Sequence, residues 1–276
     1  MPRKARINYW LTRLPLLFIA VIILTPFYVS FIYAVKTPME ITFTGMELPK
    51  IIHLENFTDA IVKSNYWLSL KNSLITTIPT VIVLLIIAPM AAYVLGRNNK
   101  RGYNFIYSLF MAALLIPFQS IMMPLYSNLK SLELVNTPWG FVLVRTAFAL
   151  PFNLMVITGF IKTVSREMEE AARIDGANAA RAYFQIVFPL LRPVTASMMV
   201  INALDSWNDF QLAVIFMMRK DARTLPVMLY SFFGQYSVDL NLAFATTTLA
   251  MIPVLVFYLL MQRHIVSGVM AGAVKG

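Results

Sequence analysis

Cysteine is absent from this 276-residue chain, and histidine occurs only twice. Without cysteine there can be no disulfide, thiolate nucleophile or cysteine-ligated metal. His53 and His264 are far apart and share no ligand spacing, so we predict no metal site. The phosphate-loop pattern G-x-x-x-x-G-K-[ST] is missing, and no catalytic Ser/His/Asp or paired-carboxylate set lies outside the apolar stretches. We therefore expect a chain that is not an enzyme and holds no cofactor of its own.

Charge is also scarce. Charged residues make up 13% of the chain and hydrophobic residues 59%, whereas soluble domains have about 25% charged residues. This composition indicates that a lipid bilayer is the solvent. The formal net charge of +10 then reflects membrane topology and anionic headgroups. No basic tract interleaved with aromatic residues suggests base stacking, so nucleic acid is not an expected partner.

Long apolar runs dominate what remains. A helix that crosses a bilayer needs about 20 mostly apolar residues, and six stretches qualify. We therefore predict an all-α membrane protein in which residues 1–276 form a single transmembrane domain. An uncleaved first helix is preferred to a signal peptide, because the first run is too long and no small-x-small site follows it. The predicted spans are 15–35, 72–95, 105–125, 139–161, 190–218 and 242–262.

The distribution of lysine and arginine predicts the orientation of these spans. Basic residues are more frequent in the loops that share a side with the N-terminus, which the positive-inside rule places in the cytoplasm. Six spans then leave both termini cytoplasmic. Arg219, Lys220 and Arg223 are the exception, since they cluster in a loop assigned to the outside.

Residues 163–189, between the fourth and fifth spans, form the largest cytoplasmic loop in this topology. Ser165 can cap a helix in which Glu169 and Arg173 have favourable ion-pair spacing. Gly176 can end that helix in the left-handed conformation, and Asn178 can cap a second helix. Pro189 then kinks or restarts the chain as it enters the membrane. From these residues alone, a coupling knob and an ordinary amphipathic surface segment are equal alternatives.

The spacing within this loop resembles a known motif. Glu170-Ala171-Ala172 is followed after three residues by Gly176, after nine more by Ile186, and after one more by Phe188-Pro189. This resembles the "EAA" loop in membrane subunits of binding-protein-dependent ABC importers, where Leu is commoner at the position of Phe188. The run Trp207-Asn208-Asp209-Phe210 and the ending 262–276 are similar to the carbohydrate branch that includes the maltose permease.

The resemblance implies an assembly in a bacterial cytoplasmic membrane. It would contain a second homologous permease subunit, two copies of a cytoplasmic ABC ATPase that hold ATP and magnesium, and an extracytoplasmic solute-binding protein. The loop at 219–239 would touch the solute-binding protein, and Ala273, Val274 and Lys275 would touch the ATPase. The positions implied to couple to the ATPase are Glu169, Glu170, Ala171, Ala172, Asp175, Gly176, Ala177, Ile186 and Pro189.

Polar side chains inside predicted spans are costly and often functional. Asp205 and Asp209 have i,i+4 spacing, and either could pair with Arg145 of the fourth span. The cluster could line a sugar path, form a gate with a partner subunit, or join helices by hydrogen bonds. The residues predicted for the path or gate are Arg145, Asn202, Asp205, Trp207, Asn208 and Asp209. Further candidates to line the path are Asn72, Gln119 and Asn153.

The leading hypothesis is therefore a permease subunit of an ATP-driven importer for a carbohydrate, with an oligosaccharide as the favoured solute. A glycerol-phosphate ester is the alternative solute, with Arg145 as the candidate ligand for the phosphate. An ion-coupled secondary transporter, with Asp205 and Asp209 as a proton or sodium relay, is the alternative from another class. The sequence does not identify the sugar, since most selectivity in such systems belongs to the binding protein.

Overall fold

The structure is a computed structural model that describes the backbone of residues 3–232 and 239–273, and the side-chain surroundings of residues 13–232 and 239–262. Within these residues the regular elements are all helical, which confirms the all-α prediction. The helices are α1 (Arg3–Ala34), α2 (Pro38–Thr44), α3 (Glu55–Ser64), α4 (Tyr66–Arg97), α5 (Arg101–Ala113), α6 (Phe118–Ser131), α7 (Pro138–Ile161), α8 (Glu167–Ile174), α9 (Ala179–Ala182), α10 (Phe188–Trp207), α11 (Ala213–Phe216), α12 (Leu225–Tyr230) and α13 (Leu240–Ala273).

Five helical stretches among the described residues are long and apolar enough to cross a membrane, and a sixth exists if one bent pair is counted as a single span. The chain is thus a multi-pass membrane protein. A π-helical turn over Tyr183–Val187 joins α9 to α10, so that these elements form one stretch. The five stretches are Arg13–Ala34, Tyr66–Arg97, Pro138–Ile161, Ala179–Trp207 and Leu240–Gln262.

The third predicted span, 105–125, differs from the structure. It corresponds to α5 and α6, which are bent by 102° relative to each other. Pro117 stands at the N-cap of α6, with φ −64° and ψ 134°. Proline has no amide hydrogen and disfavours helical geometry at the residue before it, so the helix ends ahead of Pro117. Hydropathy does not register this break because both sides of it are apolar.

The fifth predicted span, 190–218, is also shifted. The helical stretch starts earlier, at Ala179, and ends at Trp207. Asp209 Oδ1 accepts a hydrogen bond from the Leu212 amide at 2.8 Å, which starts a new local turn. Aspartate and asparagine compete in this way with helix hydrogen bonds. Asn208 and Asp209 consequently lie beyond the end of α10.

The described chain divides into two compact units. The first contains residues 1–67 and 228–253. Its buried apolar cluster includes Ala34, Ala60 and Ala245. Asn56 joins its elements, because its Nδ2 donates to the Ala34 and Lys36 carbonyls and its Oδ1 accepts from Asn241.

The second unit contains residues 68–227 and 254–276. One buried cluster packs α4 against α7 and α10. Ala88 and Ala92 supply small side chains on α4, while Leu154 and Leu191 supply large ones on α7 and α10. A second cluster gathers around Phe216, next to the start of α7. These two clusters fix the two ends of the unit on which the functional residues lie.

We predict that Gly140→Ala destabilises this fold. A Cβ at Gly140 would clash with the Leu134 carbonyl oxygen, which is backbone and cannot rotate away. Overpacking of this kind costs about 1–3 kcal/mol. Gly159→Ala in the same helix is the matched control, because nothing lies within 4 Å of its Cβ position. Thermal unfolding in detergent at a fixed scan rate should show a lower midpoint for Gly140→Ala alone; equal midpoints would contradict the steric argument.

Candidate functional site

The loop between α7 and α10 forms a helix, an elbow and a short second helix. Ser165 Oγ accepts a hydrogen bond from the Glu167 amide at 3.2 Å, and α8 starts at Glu167 with Arg166 at its N-cap position. Gly176 follows with φ +86°, in the left-handed region that glycine enters without strain. Asn178 Oδ1 accepts from the Arg181 amide at 2.8 Å and caps α9. Gly176 and Asn178 thus have their predicted roles, whereas Ser165 bonds the first turn of α8 from the residue before its N-cap, Arg166.

The predicted coupling residues divide between two faces. Glu169 and Ala172 are buried within the chain, whereas Glu170 and Ala171 are exposed. Adjacent helix positions point about 100° apart, so Ala171 and Ala172 lie on different faces of α8. Asp175 and Gly176 are also exposed, and Ala177, Ile186 and Pro189 are half-buried.

The exposed face of α8 carries an apolar stripe. Met168, Ala171 and Ile174 follow one another at intervals of three residues and are all exposed. Ile174 is 86% exposed, the highest value among the large apolar side chains that the structure describes. Ile174 was absent from the predicted site. Its position three residues after Ala171 is the signal that could have found it.

The buried face of α8 is held by α4. Arg97 donates to Glu169 Oε1 from Nε and from Nη2, both at 2.7 Å. Tyr93 donates its hydroxyl hydrogen to Glu169 Oε2 at 2.9 Å. The predicted pair of Glu169 with Arg173 is therefore replaced by a pair with Arg97. Sequence reasoning missed Arg97 and Tyr93 because their proximity to Glu169 depends on tertiary packing.

The loop joins α10 without a break in the helix. The Phe188 amide donates to the Tyr183 carbonyl across the π-helical turn, which widens the helix just before Pro189. Proline lacks the amide hydrogen that a regular turn would use, and neighbouring backbone can adjust in this way. The helix therefore passes Pro189 and Pro193 without a restart.

A second charged site lies where α10 ends, opposite the end that joins α9. Arg145 of α7 pairs with both candidate aspartates: its Nη2 lies 3.4 Å from Asp205 Oδ2, and its Nη1 lies 3.3 Å from Asp209 Oδ2. The Asp209 side chain is 6% exposed, whereas that of Asp205 is 63% exposed. Asp209 is thus a buried anchor, and Asp205 presents a carboxylate at the surface of this chain. Trp207 nearby is half-buried and Asn208 is exposed.

Three predicted path residues make structural hydrogen bonds. Asn153 and Asn202 bond reciprocally through their amides, at 3.0 and 2.8 Å, and join α7 to α10. Asn72 Nδ2 donates to the Asp221 and Arg223 carbonyls at 2.9 and 3.1 Å. These geometries favour the hydrogen-bond interpretation for the three asparagines. Gln119 is exposed on α6.

The basic loop at 219–223 contains a local ion pair. Arg219 Nε donates to Asp221 Oδ1 at 2.6 Å. This hydrogen bond holds the pKa of the exposed Asp221 carboxyl below its ordinary value. The loop is tied to the start of α4 by Asn72, so its position relative to that helix is fixed.

Two other predictions concern the C-terminal tail and metal binding. The predicted ATPase contact at Ala273, Val274 and Lys275 lies outside the residues whose side chains the structure describes. Within the described part of the chain, no group of three or more His, Asp or Glu side chains could hold a metal ion.

Comparison with known proteins gives a family match. Residues 88–270 match the family described as "Binding-protein-dependent transport system inner membrane component". The chain is 33% identical to a probable starch degradation products transport system permease protein of Thermoanaerobacterium thermosulfurigenes, over 99% of both chains. It is 34% identical to a multiple sugar-binding transport system permease protein of Streptococcus mutans, over 100% of both chains.

Two further similarities agree with these. The chain is 33% identical to a melibiose/raffinose/stachyose import permease protein of Bacillus subtilis, over 91% of both chains. The fold matches a chain in the crystal structure of a bacterial ABC transporter involved in the import of the acidic polysaccharide alginate. That match has a TM-score of 0.81 at 22% identity and covers 95% of this chain and 98% of the other.

We predict that the Asn153–Asn202 pair is needed for stability and not for solute contact. Asn202→Leu leaves the buried Asn153 Oδ1 without its donor, although Asn153 Nδ2 keeps its bond to the Ala149 carbonyl, and Asn153→Leu leaves the buried Asn202 amide without its partner. Each loss costs about 1–3 kcal/mol. The double variant removes both amides and should recover most of that loss. Thermal unfolding of the four proteins gives the coupling between the two sites. A double variant as unstable as the sum of the single variants would contradict this interpretation.

Proposed function

Since the chain belongs to the family of binding-protein-dependent transport system inner membrane components, we propose that it is the membrane-spanning permease subunit of an ATP-driven ABC importer for a carbohydrate. Similarity over the whole length to permeases named for starch degradation products and for multiple sugars carries this proposal. An oligosaccharide is the favoured solute, received from an extracytoplasmic binding protein.

In the proposed cycle, the chain works in a bacterial cytoplasmic membrane with both termini in the cytoplasm. It pairs with a second homologous permease subunit and with two ATPase subunits that bind ATP and magnesium. ATPase closure draws the α8 segments together and opens the path towards the loaded binding protein. Hydrolysis then returns the path to its inward-facing state. The loop at 219–239 meets the binding protein, and the tail at Ala273, Val274 and Lys275 meets the ATPase.

The apolar stripe of α8 supports an ATPase contact. Met168, Ala171 and Ile174 lie on a helix outside the apolar spans, where water and not lipid would otherwise cover them. Burial of this stripe in a groove of a partner stabilises the contact by removing apolar surface from water. Exposed Glu170 beside it favours a groove with a basic rim. We assign this face, and not the buried Glu169 and Ala172, to the ATPase.

The charges around Arg145 favour a gate. Two aspartates neutralise Arg145, so it is poorly placed to attract a phosphate ester. The same pairing opposes a proton relay, because protonation of Asp209 would leave a buried arginine without its closest partner. In the proposed role, exposed Asp205 closes the path by contact with the second permease subunit, while Asp209 holds Arg145 in position.

We expect deletion of the gene from its host to abolish uptake of at least one labelled oligosaccharide from a panel that includes maltotriose and raffinose. Uptake by the wild-type strain should stop when ATP is depleted and persist when an ionophore collapses the proton gradient. Glucose uptake is the control for general damage. Sugar uptake that survives the deletion would contradict the carbohydrate proposal, and uptake lost with the ionophore alone would favour ion coupling.

We expect Ala171→Arg to weaken ATPase binding strongly while the chain still reaches the membrane. Arginine keeps the helix propensity high but places a long charged side chain in the centre of the stripe. Disruption at such a position costs about 2 kcal/mol or more, or about thirtyfold in affinity. Co-purification of the ATPase and sugar uptake are the measurements, and Ala171→Ser is the conservative control. Normal uptake by Ala171→Arg would exclude this face as the docking surface.

A further inference from the structure

Two adjacent acids of α8 have opposite surroundings. Glu170 is exposed, whereas Glu169 is only 4% exposed and cannot reach the surface of another protein without rearrangement. A buried carboxylate needs a charged or hydrogen-bonding partner within its own chain. Glu169 therefore acts within the second unit, where its bonding partners lie.

The last turn of α4 clamps both oxygens of Glu169. Arg97 and Tyr93 are one turn apart on that helix, and they occupy Oε1 and Oε2 respectively. Arg97 Nη2 also donates to the Val164 carbonyl at 3.1 Å, in the linker that precedes α8. Arg166 of the same linker donates back to the Arg97 carbonyl at 3.2 Å. Both α8 and its linker are thus bonded to one helix end.

The same helix end also contacts the far side of the elbow. The Tyr93 ring lies with its centroid 5.2 Å from that of Tyr183, in the π-helical turn that leads to α10. One residue thus bonds α8 through its hydroxyl group and packs against the turn beyond the elbow through its ring. Nearby, a Cβ at Gly96 would lie 3.2 Å from Ile161 Cγ2, so α4 and α7 are closely packed there. Arg97 and Tyr93, which hold Glu169, therefore lie on a closely packed part of α4.

We infer that Arg97 and Glu169, supported by Tyr93, form a buried ionic strut through which movement of α8 is transmitted directly to α4. This rests on the proposed docking of α8 to an ATPase. Charge-assisted hydrogen bonds are short and directional, and separation of the two groups would leave a buried charge unpaired. Consequently α8 and α4 move together, in addition to the covalent route through the elbow into α10. The strut residues are positioning residues and touch neither the solute nor ATP.

The first arm of the test uses Arg97→Met and Glu169→Gln in the complex with the ATPase and the binding protein, reconstituted in liposomes. We expect both variants to retain the ATPase on purification and to retain basal hydrolysis. Hydrolysis stimulated by the loaded binding protein, and sugar uptake per ATP, should fall about two- to thirtyfold, the range over which residues along a coupling route change such couplings. Lys100→Met is the matched control, since Lys100 is an exposed cation three residues from Arg97.

The second arm exploits the absence of cysteine from the chain. Arg97→Cys and Glu169→Cys are combined, and the two thiols are bridged with a short bis-methanethiosulfonate reagent. The unbridged double variant should be uncoupled, bridging should restore stimulated hydrolysis and uptake, and a reductant should abolish them again. Each single-cysteine variant, treated in the same way, reports any effect of the reagent elsewhere in the complex.

The outcomes separate this inference from the proposed function. A wild-type complex that neither binds the ATPase nor imports sugar would overturn the proposed function itself. With a working wild-type complex, full coupling in Arg97→Met and Glu169→Gln would overturn the strut. Loss of the ATPase from these variants, or failure of the bridge to restore coupling, would show that the pair merely supports folding and would also overturn it.

Discussion

A carboxylate that is only 4% exposed has to be paired, and the pairing of Glu169 with Arg97 determines how α8 lies on the protein. Because the carboxylate points inward, the helix must present its other side outward. That other side carries Met168, Ala171 and Ile174, so one buried charge fixes which surface a partner can meet. Gly176 then reverses the chain, and the π-helical turn returns it to the end of α4 that binds Glu169. The orientation of α8 depends on this pair, together with the bonds that Tyr93 and Arg166 add at the same end of α4.

The other end of the second unit also contains a paired arginine, but there one of the two acids is exposed. Arg145 is neutralised by Asp209, which is buried, and by Asp205, which is not. Between the two charged ends, Ala88 and Ala92 let α4 pack closely against α7 and α10. Close packing transmits displacement because such interiors have little free volume. A unit with one ionic contact at the proposed ATPase side and one at the opposite side is suited to relay movement between them.

Much of this architecture could be predicted from the sequence, because hydropathy and helix caps are local properties. The apolar runs located five continuous spans, and Gly176 and Asn178 identified the elbow. The spacing of the EAA motif identified the family, which the comparisons confirm.

Three features were not predicted: the first depends on a contact between distant residues, the second on competition between local hydrogen bonds, and the third on a proline within an apolar run. Glu169 pairs with Arg97, 72 positions away, although Arg173 offered the better local spacing. Asp209 bonds the Leu212 amide and ends a run that hydropathy extends to 218. The bend before Pro117 is hidden inside a continuous apolar stretch. Which face of α8 is buried likewise follows from packing, whereas the i, i+3 spacing of Met168, Ala171 and Ile174 is visible in the sequence.

The bend between α5 and α6 sets a condition on what surrounds the chain. The two helices have 13 and 14 residues, roughly 20 Å each at 1.5 Å per residue, and neither alone crosses a hydrocarbon core of about 30 Å. The last carbonyls of α5 are satisfied by tight turns, since the Leu114, Leu115 and Ile116 amides donate to the Met111, Ala112 and Ala113 carbonyls. Leu115 at this bend is 83% exposed, so the rest of the chain does not cover it. The two helices can therefore cross the hydrocarbon core only together, and exposed Leu115 leaves an apolar surface at the bend that lipid or a neighbouring subunit can cover.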